Sequence, residues 1–136
     1  MGELELNWLA IIAATVAHQA LGALWYGVIF RNTWLRAMGK TPEEIQGEGG
    51  AGGEMAFGAL ASLVSVFTLA LFMSWIGEWT VSSGICSGAA AGIGFVAASH
   101  FMNGLYEQKK PVITWLFGAY YTLGLMIAGA ILGALH

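Results

Sequence analysis

Charged residues interrupt this sequence at only a few places, and between them it runs apolar for long stretches. No Asp, Glu, Lys or Arg occurs in Leu6–Phe30, Met55–Gly77, Trp79–Tyr106 or Pro111–His136, runs of 25, 23, 28 and 26 residues. They account for 102 of the 136 residues. A helix rising about 1.5 Å per residue needs roughly 20 apolar residues to cross a hydrocarbon core about 30 Å thick. Each run is long enough for one crossing and too short for two. The pattern predicts an all-α membrane protein, a single domain over 1–136 made of a four-transmembrane-helix bundle. Its spans lie at about 7–30, 55–77, 81–106 and 111–134. A water-soluble bundle would need a charged face on each helix. Met55–Gly77 offers only Ser62, Ser65, Thr68 and Ser74, small hydroxyls expected to bond back to their own helix.

The connections read less uniformly. In the loop 31–54, Trp34, Leu35 and Met38 share one helical face beside Arg31 and Arg36, and Gly39 supplies a stop. This predicts a short interfacial helix after the first span, its apolar side dipping into the membrane surface. Thr41-Pro42-Glu43-Glu44 then has the form of a second helix start. The glycines from Gly47 to Gly53 read as a flexible linker. Only Glu78 separates the second run from the third, so those spans form a tight antiparallel hairpin. Pro111 suits the first turn of the fourth.

Composition agrees: 57% of the residues are hydrophobic and 10% charged, against about 25% charged in an ordinary soluble domain. Charge placement also predicts topology. Arg31, Arg36, Lys40, Lys109 and Lys110, all the basic residues of the chain, fall in the loops after the first and third spans. Cytoplasmic loops collect Lys and Arg, so loop 31–54 is expected in the cytoplasm and both termini on the outer side. Trp8, Trp75 and Trp79 then mark the outer interface, with Trp34 and Trp115 at the inner one. No basic stripe interleaved with aromatics suggests nucleic acid. The acidic start and long first run do not fit a cleaved secretory signal. Cys86, the one cysteine, reads as a buried packing residue.

Helix association in lipid depends on small residues that allow close contact. Gly84, Gly88 and Gly92 recur at i+4 on the third span, and the fourth carries Gly118, Gly124, Gly129 and Gly133. The spacing predicts that the third span's ridge packs against another helix. The second span, the fourth or another copy of the chain all fit.

Several ordered pieces resemble a known family. Asn7-Trp8, Gly22-Ala23-Leu24-Trp25-Tyr26, Trp34 and Met38-Gly39 are similar to the first half of the bacterial membrane proteins of domain-of-unknown-function family 1761. Asn103-Gly104-Leu105-Tyr106-Glu107, Gly118-Ala119-Tyr120 and Met126 to Gly133 resemble the second half. In that family the Trp-Tyr pair often continues with Ser-Pro, whereas Gly27-Val28 follows here. The resemblance implies a small four-span fold in a bacterial inner membrane, and no established activity.

Ionisable groups inside spans are costly and mark candidate sites. His18 sits mid-way along the first span beside Gln19, on a face with Ile11, Ala14, Gly22 and Trp25. His100 lies in the third span beside Ser99 and Asn103, and at 100° per residue it stands about 80° off the face of Gly88, Gly92, Ser99 and Asn103. Tyr120 and Tyr121 of the fourth span are further hydrogen-bonding groups. The two histidines fall in opposite halves of the membrane, and no carboxylate or second cysteine completes a ligand set, so no metal or cofactor is expected. The first span lacks the buried acid that small multidrug exporters need. No nucleophile–base pair, phosphate loop or paired carboxylates point to an enzyme. The reading is a homo-oligomeric carrier or pore for a small solute or ion, lined by His18, Gln19, Ser99, His100, Asn103, Tyr120 and Tyr121. The alternative is a non-catalytic scaffold or accessory subunit of a membrane assembly.

Overall fold

A computed structural model of the chain describes residues 6–39 and 52–136. The expected helix start at Thr41-Pro42-Glu43-Glu44 and the glycines at 47, 49 and 50 lie outside those residues. All regular structure among the described residues is helical. Four helices are long and apolar enough to cross a membrane: Trp8–Ile29, Ala56–Ile76, Val81–Tyr106 and Pro111–Ala134, the first to fourth spans. The helix containing the second span begins at Gly52, so Gly52 and Gly53 belong to it and not to a linker.

Local chemistry fixes the ends. Asn7 caps the first span, its Oδ1 accepting from the backbone N–H groups of Leu9 and Ala10 at 3.1 and 3.3 Å. Thr80 opens the third span through a capping box with Ser83, and Pro111 occupies the first turn of the fourth. Gly77 closes the second span at φ +84°, a left-handed conformation that glycine adopts without steric cost. The Asn7 side-chain amide donates to the Leu135 carbonyl at 2.8 Å, and Trp79 stacks on His136 at 4.2 Å. The start of the first span, the end of the fourth and the 77–80 turn therefore share one end of the bundle. Short helix Arg31–Met38 lies at the other.

That short helix follows the first span as expected. Leu35 and Ala37 are buried, Met38 is exposed, and the Trp34 ring meets Tyr26 edge-on at 5.5 Å. The helix packs on the fourth span. Gly39 ends the helix in the left-handed conformation, as a C-terminal glycine should.

The fourth span is the axis of the fold. It packs most closely against the third and then the first, while the second leans on the first. At Gly84 and Gly129 the backbones of the third and fourth spans touch, and a Cβ on either would run into the other's carbonyl. A Cβ on Gly88 would stand 2.6 Å from the Leu125 carbonyl carbon, and one on Gly92 2.6 Å from the Thr122 Cα. The glycine ridge is thus used within the chain, against the fourth span. Beyond Gly92 the contact face advances five positions to Ala97, which meets Gly118, and continues to Gly104 against Thr114. The jump of five is the π-helical turn Gly92–Ala97. A second π turn, Trp25–Ile29, ends the first span where proline is absent.

Near the Asn7 end the interior is a solid apolar core in which Ile11, Val66, Leu69, Met73 and Leu132 are fully enclosed. Spans two and three are joined by a turn of only four residues, 77–80, yet make few contacts along their lengths. The hairpin is tight at its tip and splayed beyond it.

Candidate functional site

Above the apolar core, toward the Arg31–Met38 helix, the four spans part around a cleft of about 840 Å³. The first span contributes Gln19 and Tyr26, the second Ser62 and Ser65, the third Ser99 and His100, and the fourth Tyr120 and Tyr121. Both π turns border it, through Tyr26 and Gly27 on one side and Phe95 and Val96 on the other. Such turns replace the i→i+4 bond pattern locally and are frequent at functional sites. Among the described residues no Asp, Glu, Lys or Arg lines the cleft.

His18 does not line the cleft but is fully buried behind its lining residues Ser62, Tyr120 and Tyr121. Its Nδ1 lies 3.0 Å from the Ser62 Oγ, and the Ser62 hydroxyl donates to Gln19 Oε1 at 3.0 Å. Because serine has one hydrogen to give, this network assigns the His18 proton to Nδ1, donating to Ser62. The Tyr120 hydroxyl stands 3.3 Å from the same Nδ1 and donates to the His18 carbonyl at 3.4 Å. Tyr121 meets the imidazole edge-on at 4.6 Å and its hydroxyl pairs with Ser65 at 2.6 Å. His18 thus links three spans. Its Nε2 is buried with no hydrogen-bond partner among the described residues. That edge of the ring lies against Gly124, where a Cβ would fall 2.6 Å from Cδ2. Glycine at 124 makes room for the imidazole.

The sequence-derived residues separate into three groups. His18, Gln19, Tyr120 and Tyr121 come together as one network. Ser99 and His100 lie on the facing wall, His100 stacked on Phe117 at 4.1 Å and Ser99 bonded back to the Phe95 carbonyl at 2.5 Å. Asn103 is exposed and does not border the cleft. A straight helix would have kept Ser99 and Asn103 on the Gly88–Gly92 face. The residue inserted by the π turn rotates everything after it by about 100°, bringing His100 onto the fourth span instead.

Sequence reasoning missed Ser62 and Ser65 by expecting their hydroxyls to bond back to their own helix. Thr68 does so, to the Val64 carbonyl at 2.8 Å, but Ser62 and Ser65 reach across to the first and fourth spans. Only the partners distinguish them, and those lie 43 and 56 positions away. Among the described residues no group of three His, Cys, Asp or Glu side chains is placed to hold a metal ion. Glu107 pairs with Lys109 at 3.1 Å, outside the cleft.

Comparison with known proteins adds one match. The family model described as protein of unknown function DUF1761 matches residues 9–133. No curated protein and no solved structure matches the chain.

Proposed function

The chain belongs to the DUF1761 family, whose function is unknown, and on that premise we propose that it is a carrier for a small, uncharged solute bound in the central cleft. The observation that carries the reading is a cleft of about 840 Å³ to which all four spans bring polar groups, with the buried His18 bonded behind its wall to Ser62 and the apolar core below. A pocket of this size suits a small molecule, with largely apolar walls and a few convergent polar groups for orientation. The dense core below it favours a carrier, which changes conformation, over a standing pore. The absence of charged side chains from the walls, among the described residues, disfavours ions, since a buried charge without a partner is strongly penalised. All four walls come from one chain, so the site needs no second copy. The scaffold alternative loses its main support, because the glycine ridge that would have met a partner is occupied by the fourth span.

By the distribution of Lys and Arg, the cleft faces the cytoplasm and the protein sits in the cytoplasmic membrane. Tracer counterflow into proteoliposomes, with a panel of neutral and charged small solutes, tests the reading. A neutral solute should accumulate transiently with the wild type and fail to do so with His18→Ala, checked for monodispersity by size exclusion. Equal uptake by the variant, or a preference for ions, refutes it.

A further inference from the structure

The splayed seam between the second and third spans is not a uniform groove. It holds three cavities in series, of about 840, 200 and 570 Å³. The first and second share Ser65, Phe95 and Val96, and the second and third share Phe72, Ala91 and Phe95. They form one trough, from the cleft at Gly58 to Trp75 and Cys86 near the far end of the second span. Its polarity is graded. Gln19, Ser62, Tyr120 and Tyr121, which surround the buried His18, line the first cavity and neither of the others. The neck has only Ser65 and Thr68 as polar residues, and both hydroxyls are already bonded.

We propose that this trough binds a single-tailed amphiphile with an uncharged, hydrogen-bonding head, the head in the cleft and the tail along the seam between the second and third spans. The inference deepens the carrier reading and rests on it, naming the class of solute.

The neck decides what kind of occupant fits. It runs along the second span from Val64 to Phe72, about 12 Å at helical rise. A volume of about 200 Å³ over that length leaves a passage roughly 5 Å across. Carbon atoms in contact are about 3.5–4.0 Å apart, so the passage takes one hydrocarbon chain. A helix about 10 Å across displaces roughly 400 Å³ per turn, which excludes a helix of a second copy. From Val64 to Ile76 the tail path is about 18 Å, close to the ~15 Å depth of one leaflet. Two-chained phospholipids fit poorly at both ends: the neck admits one tail, and among the described residues no Lys or Arg borders the three cavities to meet a phosphate.

Cys86 is exposed in the third cavity and is the only cysteine of the chain, so it reports on the tail path without mutagenesis. A second reporter, Ala61→Cys in a Cys86→Ser background, reports on the cleft, which Ala61 borders. Both proteins, reconstituted in phosphatidylcholine nanodiscs and verified as monodisperse, are alkylated with N-ethylmaleimide in the presence of defined probes. Hexadecanol should slow alkylation at both positions, by about tenfold at ten times its half-protecting concentration. Hexanol should protect the cleft reporter alone. Palmitate and hexadecyltrimethylammonium should protect neither. Ala91→Phe, which plugs the neck, should abolish hexadecanol protection of Cys86 and spare that of the cleft reporter. If hexadecanol protects only the cleft, the seam is not a tail path and the inference falls while the carrier reading stands. Protection of Cys86 by the charged homologues equal to that by hexadecanol also overturns it. If neither alcohol protects either position, the cleft is not a binding site and both readings fail.

Discussion

Replacing Gly88 by alanine sets two physical effects against each other. Helix propensity favours the change, since glycine inside a helix costs about 1 kcal/mol relative to alanine. The structure opposes it. The new methyl group would lie 2.6 Å from the carbonyl carbon of Leu125 and 2.8 Å from the Cα of Met126, both backbone atoms that no rotamer change can move. Relief requires the third and fourth spans to separate by roughly 1 Å, and such a gap forfeits about a quarter to a half of each ~0.1–0.2 kcal/mol atomic contact. Over about 40 contacts, the number a buried leucine makes, the loss is roughly 1.5–3 kcal/mol. Net destabilisation should be about 0.5–2 kcal/mol, a factor of roughly 2–30 in the unfolding equilibrium. Gly94, on the same span with nothing within 4 Å of its added Cβ, is the control, and Gly94→Ala should be neutral or stabilising. Reversible unfolding in mixed micelles, followed by circular dichroism, measures both. If Gly88→Ala is as stable as Gly94→Ala, the close approach of the two spans is wrong, and with it the shape of the bundle.

Other outcomes follow from the cleft and the topology. Ser62→Ala removes two interspan hydrogen bonds, and at about 0.6 kcal/mol each it should lower stability by roughly 1 kcal/mol in the same unfolding titration. Ser74→Ala, outside that network, should cost less. Gly124→Ala forces the His18 ring from its seat, so solute counterflow should fall further than with Ala23→Ser, a change at the cleft wall away from His18. With the basic loops in the cytoplasm, a cysteine replacing His136 in a Cys86→Ser background should react with a membrane-impermeant maleimide in intact cells. Labelling only after lysis would invert the topology.

How much of this was legible before the fold was known depends on which force writes the signal. Span number and position were legible, because removing charge from runs longer than 20 residues is required by the hydrocarbon and by nothing else in the chain. Helix ends at Asn7, Gly39 and Pro111 were legible, since capping chemistry is local. The ridge Gly84–Gly88–Gly92 announced a close contact by its spacing but not its partner. In lipid, outward and inward faces are alike apolar, so hydrophobicity does not say how a span is turned about its own axis. The turning is decided by where backbones can touch and where hydroxyls find partners, as with His18 and Tyr120, 102 positions apart. The π turn at Gly92–Ala97 was illegible too, because uniform 100° steps give no sign of an inserted residue. It sends His100 to Phe117 and leaves Asn103 outside. Sequence alone determined that the chain crosses a membrane and which polar groups enter it. Tertiary packing alone decided that four of the seven polar candidates meet at His18, and that the second and third spans stand apart around a trough.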